Sequence, residues 1–353
     1  MEHSEARTYP LKFVPVFQKR IWGGQKIQQL LRRPVPAQTA RAMVGESWEL
    51  ADLPPGSVQG DSTGAAPDGS LSSLIANGEL AGKTLRQAIL AEPAAIMGAA
   101  GSGYFPLLIK FLDARENLSV QVHPDAAYVQ KHPGAHLKSE AWYVLAAAAG
   151  AKIYKGLKPG VDWRAFSVAV RSGRVEPLLQ AVPARTGDCH YLESGTVHAL
   201  GAGVLVAEVQ TPSDTTFRLF DWNRLDANGK PRQLHIEPAL EVIGFDAAPP
   251  PAPATMDRGP GNGPWRSTEL AHGPHFSIRR VSLEQGSGAV AGGQAVVWIC
   301  IRGQGVLTCQ DSPPTAFAAG ETLLIPAGIR RPRLAVVSPC TWLEAHLPES
   351  SGN

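Results

Sequence analysis

No apolar run in this chain is left to grow long. Segments such as PLLIKFLDA (106–114), GVLVAEVQT (203–211) and AVVWICIRG (295–303) sit between turn residues, and the 353 residues include 36 glycines and 30 prolines. Glycine supplies tight-turn conformations and proline ends strands. Short apolar runs separated by them predict a mainly β protein with many turns. YPLKFVPVF (9–17) alternates and contains prolines, which reads as an edge strand. Strands are expected at GESWELAD (45–52), PLLIKFLDA, LSVQVHP (118–124), EAWYVLAAA (140–148), DCHYLES (188–194), GVLVAEVQT and TFRLFDW (216–222). Helical periodicity is expected only around residues 70–100 and 161–182, with a short helix in HIEPALEVIGF (235–245).

The segment DAAPPPAPATMDRGPGNGP (246–264) contains almost no large apolar residue and reads as a linker, with a long surface loop as the other reading. Strands resume after it. We therefore expect a first domain over residues 1–246, a linker over 247–264 and a smaller β domain over 265–353.

Bulk properties exclude several functions. A net charge of +2, without a block of basic residues, argues against a nucleic-acid surface. No stretch approaches the roughly 18 apolar residues of a membrane span. The N-terminus lacks the apolar core of a signal peptide. The four cysteines (Cys189, Cys300, Cys309, Cys340) show no CxxC spacing and suggest no disulfide framework. Together these features lead us to expect a cytoplasmic protein.

The two halves share a pattern. TGDCHYLESGTVHALG places Gly187, Gly195 and His198 in order, and AAGETLLIPAGIRRPRL places Gly320, Gly328 and Arg331 at the same spacings. This order resembles the second half of the cupin motif. Cupins are small antiparallel barrels that hold a metal with histidines inside. The first copy keeps the histidine and the second has an arginine. We expect two cupin-like (jelly-roll) β-barrels, one with a metal site and one degenerate, with a few helices packed around the first.

In SVQVHPD, Gln121 and His123 are two residues apart on an expected strand, so both side chains leave the same face. Glu140 opens the next apolar run. Two imidazoles and a carboxylate suit a first-row divalent ion, zinc above all. The neutral amide of a glutamine is an unusual fourth ligand. Spacing alone leaves a strand-end histidine near the surface open for His123 and a solvated charge open for Glu140.

Five collinear blocks narrow the choice. FVPVFQKRIWGG, LSVQVHPD, LKSEAWYVL, SGTVHALG and EVQTPSDTTFRLFDWNR, between Tyr9 and Phe245, resemble those of type I mannose-6-phosphate isomerases in their shorter bacterial form. The resemblance implies a zinc enzyme, with one Zn2+ per chain, that interconverts mannose 6-phosphate and fructose 6-phosphate. Its metal ligands map onto Gln121, His123, Glu140 and His198. It further implies pocket positions at Lys110, Ser119 and Glu46 for substrate or phosphate, and at Lys138, Glu208, Asp214 and Arg218 for catalysis. The partner would be a small sugar phosphate, and the chain a monomer or weak homo-oligomer. The long helical insertion of the larger eukaryotic enzymes has no room here. Other readings are a cupin isomerase acting on glucose 6-phosphate, a cupin dioxygenase and a non-catalytic sugar-sensing bicupin. The dioxygenase would usually present a histidine-richer set.

Overall fold

The computed structural model describes residues 8–32, 43–58, 62–101, 103–225, 229–245, 256–257, 265–310 and 312–348. Of the expected linker only Met256–Asp257 falls among them; the rest of residues 246–264 lies outside the described residues.

Strands dominate, and every strand pair is antiparallel. A six-stranded sheet runs in the order Cys189–Leu192, Glu140–Ala147, Val204–Gln210, Leu108–Ala114, Val44–Leu50, Val16–Gly24. A five-stranded sheet runs Leu179–Pro183, Lys152–Leu157, His198–Leu200, Val120–Val122, Phe217–Phe220. These two sheets face each other. Leu112, Trp142, Val144 and Val206 of the first pack against Ile153 and Leu200 of the second.

A third, larger sheet is built from the C-terminal strands, centred on the long pair Val296–Cys309 and Arg333–His346. The N-terminal strand Leu11–Lys12 pairs with Thr322–Ile325 at its edge. The next strand, Val16–Gly24, forms the edge of the six-stranded sheet. The proline-containing segment thus supplies edge strands to two sheets, as its composition requires.

Period-two alternation explains the layering. On the six-stranded sheet, Ala141, Tyr143, Ala207 and Phe111 point away from the five-stranded sheet and pack in one core with Ile278, Ile299, Leu343 and Ala345 of the C-terminal sheet. Residues of opposite parity on the same strands, Glu140, Trp142, Glu208 and Lys110, point into the space between the first two sheets. The outer face of the five-stranded sheet, including Val120 and Val122, is covered by Phe166 and Val170 of helix Trp163–Arg171 and by Ala239 and Leu240 of helix Ile236–Val242.

Two expected helical segments are only partly helical. Residues 71–77 look helical because Leu71, Leu74 and Ile75 fall at helical spacing. The observed burial instead has period two, with Leu71, Ser73 and Ile75 buried and Leu74 and Ala76 exposed. Leu71–Ser72 pairs with Asp52–Leu53, and Ser73 Oγ accepts from the Ala51 amide at 2.9 Å. Helix begins at Leu85, where Thr84 and Gln87 form a capping box. In 161–182 the helix stops at Arg171. Gly173 then takes φ 66°, and Leu179–Pro183 turns back as a strand beside Lys152–Leu157.

The C-terminal barrel is filled. Trp298 and Trp342 lie with ring centroids 4.8 Å apart and pack with Phe317, Leu307 and Leu323. Among the described residues no helix is long and apolar enough to cross a membrane.

Candidate active site

Two rows of side chains meet between the facing sheets. In the five-stranded sheet His198 pairs directly with Gln121, and Gln121 with Arg218. In the six-stranded sheet Glu208 lies between Trp142 and Lys110, and Lys110 pairs with Trp48. Directly opposed residues share a face, so each row presents its polar ends to the other sheet.

The deepest part of the site joins His123, Glu140 and His198. All three are buried, and ligand-type atoms from each lie within 4.8 Å of one another. His123 Nδ1 is 3.0 Å from the Thr215 carbonyl and His198 Nδ1 is 2.8 Å from the Thr196 carbonyl. A carbonyl only accepts, so each Nδ1 carries the proton and each Nε2 keeps its lone pair. Both lone pairs face a carboxylate: His123 Nε2 is 3.3 Å from Glu140 Oε2, and His198 Nε2 is 3.1 Å from Glu140 Oε1. His123 Nε2 and Glu140 Oε1 have no hydrogen-bonding partner, while Glu140 Oε2 accepts from the Lys138 ammonium at 2.9 Å.

Acceptors facing acceptors in a buried site fit a cation. Zinc–nitrogen and zinc–oxygen bonds of about 2.0–2.1 Å place tetrahedral ligand atoms about 3.3 Å apart. The two imidazole distances to Glu140 are of that size, one to each carboxylate oxygen. Gln121 Nε2 also lies 3.3 Å from His198 Nε2. Turning the amide about its last bond would bring Oε1 to that corner. Burial, and then Lys138, lowers the His123 pKa to about 3, which keeps the imidazole neutral, as a ligand must be.

The cleft above this cluster measures ≈ 380 Å³. Glu46, Lys110, Ser119, Gln121, Lys138, Glu208, Asp214 and Arg218, all singled out in the sequence, line it. His123, Glu140 and His198 sit behind them.

Lys110 lies amid three carboxylates, 3.7 Å from Glu46 and 3.8 Å from each of Glu208 and Asp214, with its Nζ 4.5 Å above the Trp48 ring. Two indoles orient the acids: Trp48 Nε1 donates to Glu46 and Trp142 Nε1 to Glu208. Burial, and then the charge of Glu140, raises the Glu208 pKa to about 7. Burial also raises that of Asp214.

At the mouth the charge reverses. Arg218 donates to the Gln233 carbonyl at 2.8 Å, and its buried Nε has no partner. Arg224 and Arg232 both bond Asp221, and Arg224 also lies 3.8 Å from Glu116, so three guanidiniums face two carboxylates.

Comparison with known proteins places the chain. Residues 11–148 match the catalytic domain of type I phosphomannose isomerase. The mannose-6-phosphate isomerase of Streptococcus mutans serotype c is 33% identical over 328 residues, covering 91% of this chain and 93% of that one. The chain belongs to the type I phosphomannose isomerase family. ManA, the mannose-6-phosphate isomerase of Bacillus subtilis, is 37% identical over 69% of this chain and 70% of its own. The crystal structure of a mannose 6-phosphate isomerase from Bacillus subtilis superimposes with a TM-score of 0.81 at 29% identity, covering 96% of this chain and all of that one. A zinc-bound mannose 6-phosphate isomerase shares the fold, with a TM-score of 0.73 over 97% of this chain at 17% identity.

Within this phosphomannose isomerase fold, the cleft also contains residues the sequence reading did not single out. Arg20 bonds Glu46 at 2.6 Å, and Trp22, Thr216, Arg232 and His235 line the walls. Arg20 and Trp22 lie in QKRIWGG, one of the blocks that mark the family, and that block was the available signal. Arg232 falls in a loop with no periodicity, and His235 caps the helix Ile236–Val242, whose periodicity says nothing of the cleft.

Proposed function

We propose that this chain is a zinc-dependent isomerase interconverting mannose 6-phosphate and fructose 6-phosphate, with Gln121, His123, Glu140 and His198 holding the metal. The observation that supports it most is the pair of tautomer-fixed imidazoles facing Glu140 at tetrahedral edge distances, at the base of a cleft with an arginine-rich mouth. The zinc named for a structural relative supports the choice of metal.

Aldose–ketose exchange moves a proton between C1 and C2 through an enediol(ate). It requires a base near C2, a stabiliser for the developing oxyanion and an anchor for the phosphate. Bound zinc would supply Lewis-acid polarisation of the sugar oxygens. Glu208 and Asp214 are the un-ligated carboxylates lining the cleft, and either serves as the C–H base. Lys138 contacts Glu140 and reaches the cleft, where its ammonium stabilises enediolate charge. Arg218, with Arg232 beside it and the Ser119 hydroxyl nearby, forms the phosphate end of the cleft. Lys110, compensated by three acids, instead fixes the carboxylates in place, with Glu46 tied to Arg20.

A coupled assay with mannose 6-phosphate, run with and without chelator, tests this reading. Chelator-sensitive formation of fructose 6-phosphate is expected, and its absence would sink the reading. Arg218→Ala should lower turnover and kcat/KM roughly 10–10²-fold with zinc retained, since a charged contact to the phosphate is lost. Wild-type turnover in that variant would remove Arg218 from the mechanism.

A further inference from the structure

On the far side of the six-stranded sheet from the cleft, the C-terminal sheet turns one face toward it. Most of that face is apolar, through Ile278, Ile299, Leu343 and Ala345. Further along, it becomes polar in a single row. Arg266 pairs with Ser282, Ser282 with Thr341, and Thr341 with Arg302. The row therefore reads arginine, serine, threonine, arginine across four neighbouring strands. Arg280, two residues before Ser282, points the same way. These side chains and the Tyr143–Leu145 stretch of the catalytic sheet enclose a groove of ≈ 580 Å³.

The groove lining is net positive, with three arginines against one carboxylate. Among the described residues no ion pair involves Arg266, Arg280 or Arg302. Glu284 is the only carboxylate among the residues lining the groove. Arginine presents a planar fork that matches phosphate oxygens two at a time. Three such forks with two hydroxyls between them, in a concave site with apolar walls, make a receptor for anionic oxygens. Neighbouring strands are about 4.8 Å apart, so the two ends of the row are about 14 Å apart. One phosphate cannot engage both ends. Side chains stand roughly perpendicular to a sheet, so the two end guanidiniums stay well apart, and two phosphates on a spacer of several carbons can meet both.

We propose that this groove binds a small molecule carrying two phosphate groups. Its occupant lies against Tyr143, Val144 and Leu145, on the strand whose first residue is Glu140. The site is separate from the cleft and draws none of its three arginines from the cleft wall.

The test is calorimetric titration of the metal-loaded full chain with 1,6-hexanediol bisphosphate, and with butyl phosphate as a one-phosphate comparator. Each titration is run in the presence of saturating mannose 6-phosphate. It is repeated on Arg218→Ala protein, so that a weak phosphate end in the cleft is covered independently of the proposed substrate. One bisphosphate per chain is expected, bound at least tenfold more tightly than the monoester. Arg266→Ala and Arg302→Ala should each weaken it about tenfold with unchanged thermal melting. Three results would overturn the proposal: no bisphosphate binding in either arm, equal affinity for the two ligands, or binding undiminished by both substitutions.

Discussion

The two barrels repeat one piece of backbone and fill it in opposite ways. Gly187 and Gly320 both take positive φ, 96° and 88°, just before a short strand. In the first barrel Gly195 (φ 82°) donates its amide to the His123 carbonyl at 2.9 Å. That turn delivers His198 beside the other metal-type ligands. In the second, Gly328 has no positive φ and is needed for contact: a Cβ there would meet the Ala95 carbonyl at 3.0 Å. Arg331, at the place of His198, is exposed and left-handed at φ 48°.

The interiors differ just as sharply. The buried charged residues of the described structure all lie at or before Asp221, and the C-terminal barrel buries only serine and threonine among its polar residues. Burying charge is costly unless partners compensate it. The first barrel bears that cost where its cleft is, and the second, with tryptophans inside, avoids it. One scaffold thus serves as a reaction vessel in one copy and as a packed support in the other.

The largest break of this contrast is Glu140→Ala. It removes the carboxylate from between two imidazole lone pairs, so metal and activity should disappear together, with turnover down by more than about 10³-fold. Elemental analysis of the purified variant checks it. Wild-type zinc content would show that Glu140 is not a ligand.

Trp342→Ala tests the other side. The ring is fully buried against Trp298, and loss of such a side chain costs about 3–5 kcal/mol. A large drop in the urea midpoint is expected, with turnover per folded, zinc-loaded molecule unchanged. A proportional fall in turnover at full zinc content would mean that the second barrel shapes the cleft directly.

How far the contrast could be read from sequence depends on the kind of signal. Gln121 and His123 are legible because a strand places alternate residues on one face. His198 is legible because its glycines mark a turn, and Glu140 because its block is collinear with the rest. Arg20 sits on an edge strand whose partner could not be known beforehand. Arg232 reaches the cleft through loop geometry, which leaves no period, and His235 from the cap of a helix whose period reports only its buried face. Residues 71–77 suggest a helix because three apolar residues happen to fit its spacing, while the partner strand Asp52–Leu53 that decides the matter lies outside any local window. The second copy revealed that a histidine was missing, but not that tryptophans occupy the space.

The buried charges should also give the first barrel a pH dependence that the second lacks. Burial pushes the Glu46 carboxyl up, but Arg20 and then Lys110, with the Trp48 N–H, outweigh it and hold the pKa at about 2. Since the folded value lies below the unfolded value of about 4.3, the carboxylate stabilises the fold fully above the unfolded pKa. That contribution is lost as pH falls through 4 toward 2. A shift of this size corresponds to roughly 3 kcal/mol at neutral pH. Comparing urea unfolding of the wild type and Glu46→Gln between pH 6 and pH 2.5 should show a gap that closes as the solution is acidified. A constant gap would assign the effect to shape rather than charge.

The smallest effect is expected from restoring the missing histidine. Arg331→His returns the residue type to its place in the repeat, yet the left-handed, exposed backbone there directs the side chain away from an interior already filled by Trp298, Trp342 and Phe317. No carboxylate or second imidazole waits inside, since the C-terminal barrel buries no charged group among the described residues. Zinc should therefore remain at the wild-type ratio, and stability should change by less than about 0.5 kcal/mol, as for most surface substitutions. A second zinc in Arg331→His protein would show that the repeat preserves a usable metal geometry and that one residue separates the two barrels. An unchanged ratio would place the difference in the whole interior, where a ligand set needs several inward polar residues and the second barrel has committed those positions to aromatic packing.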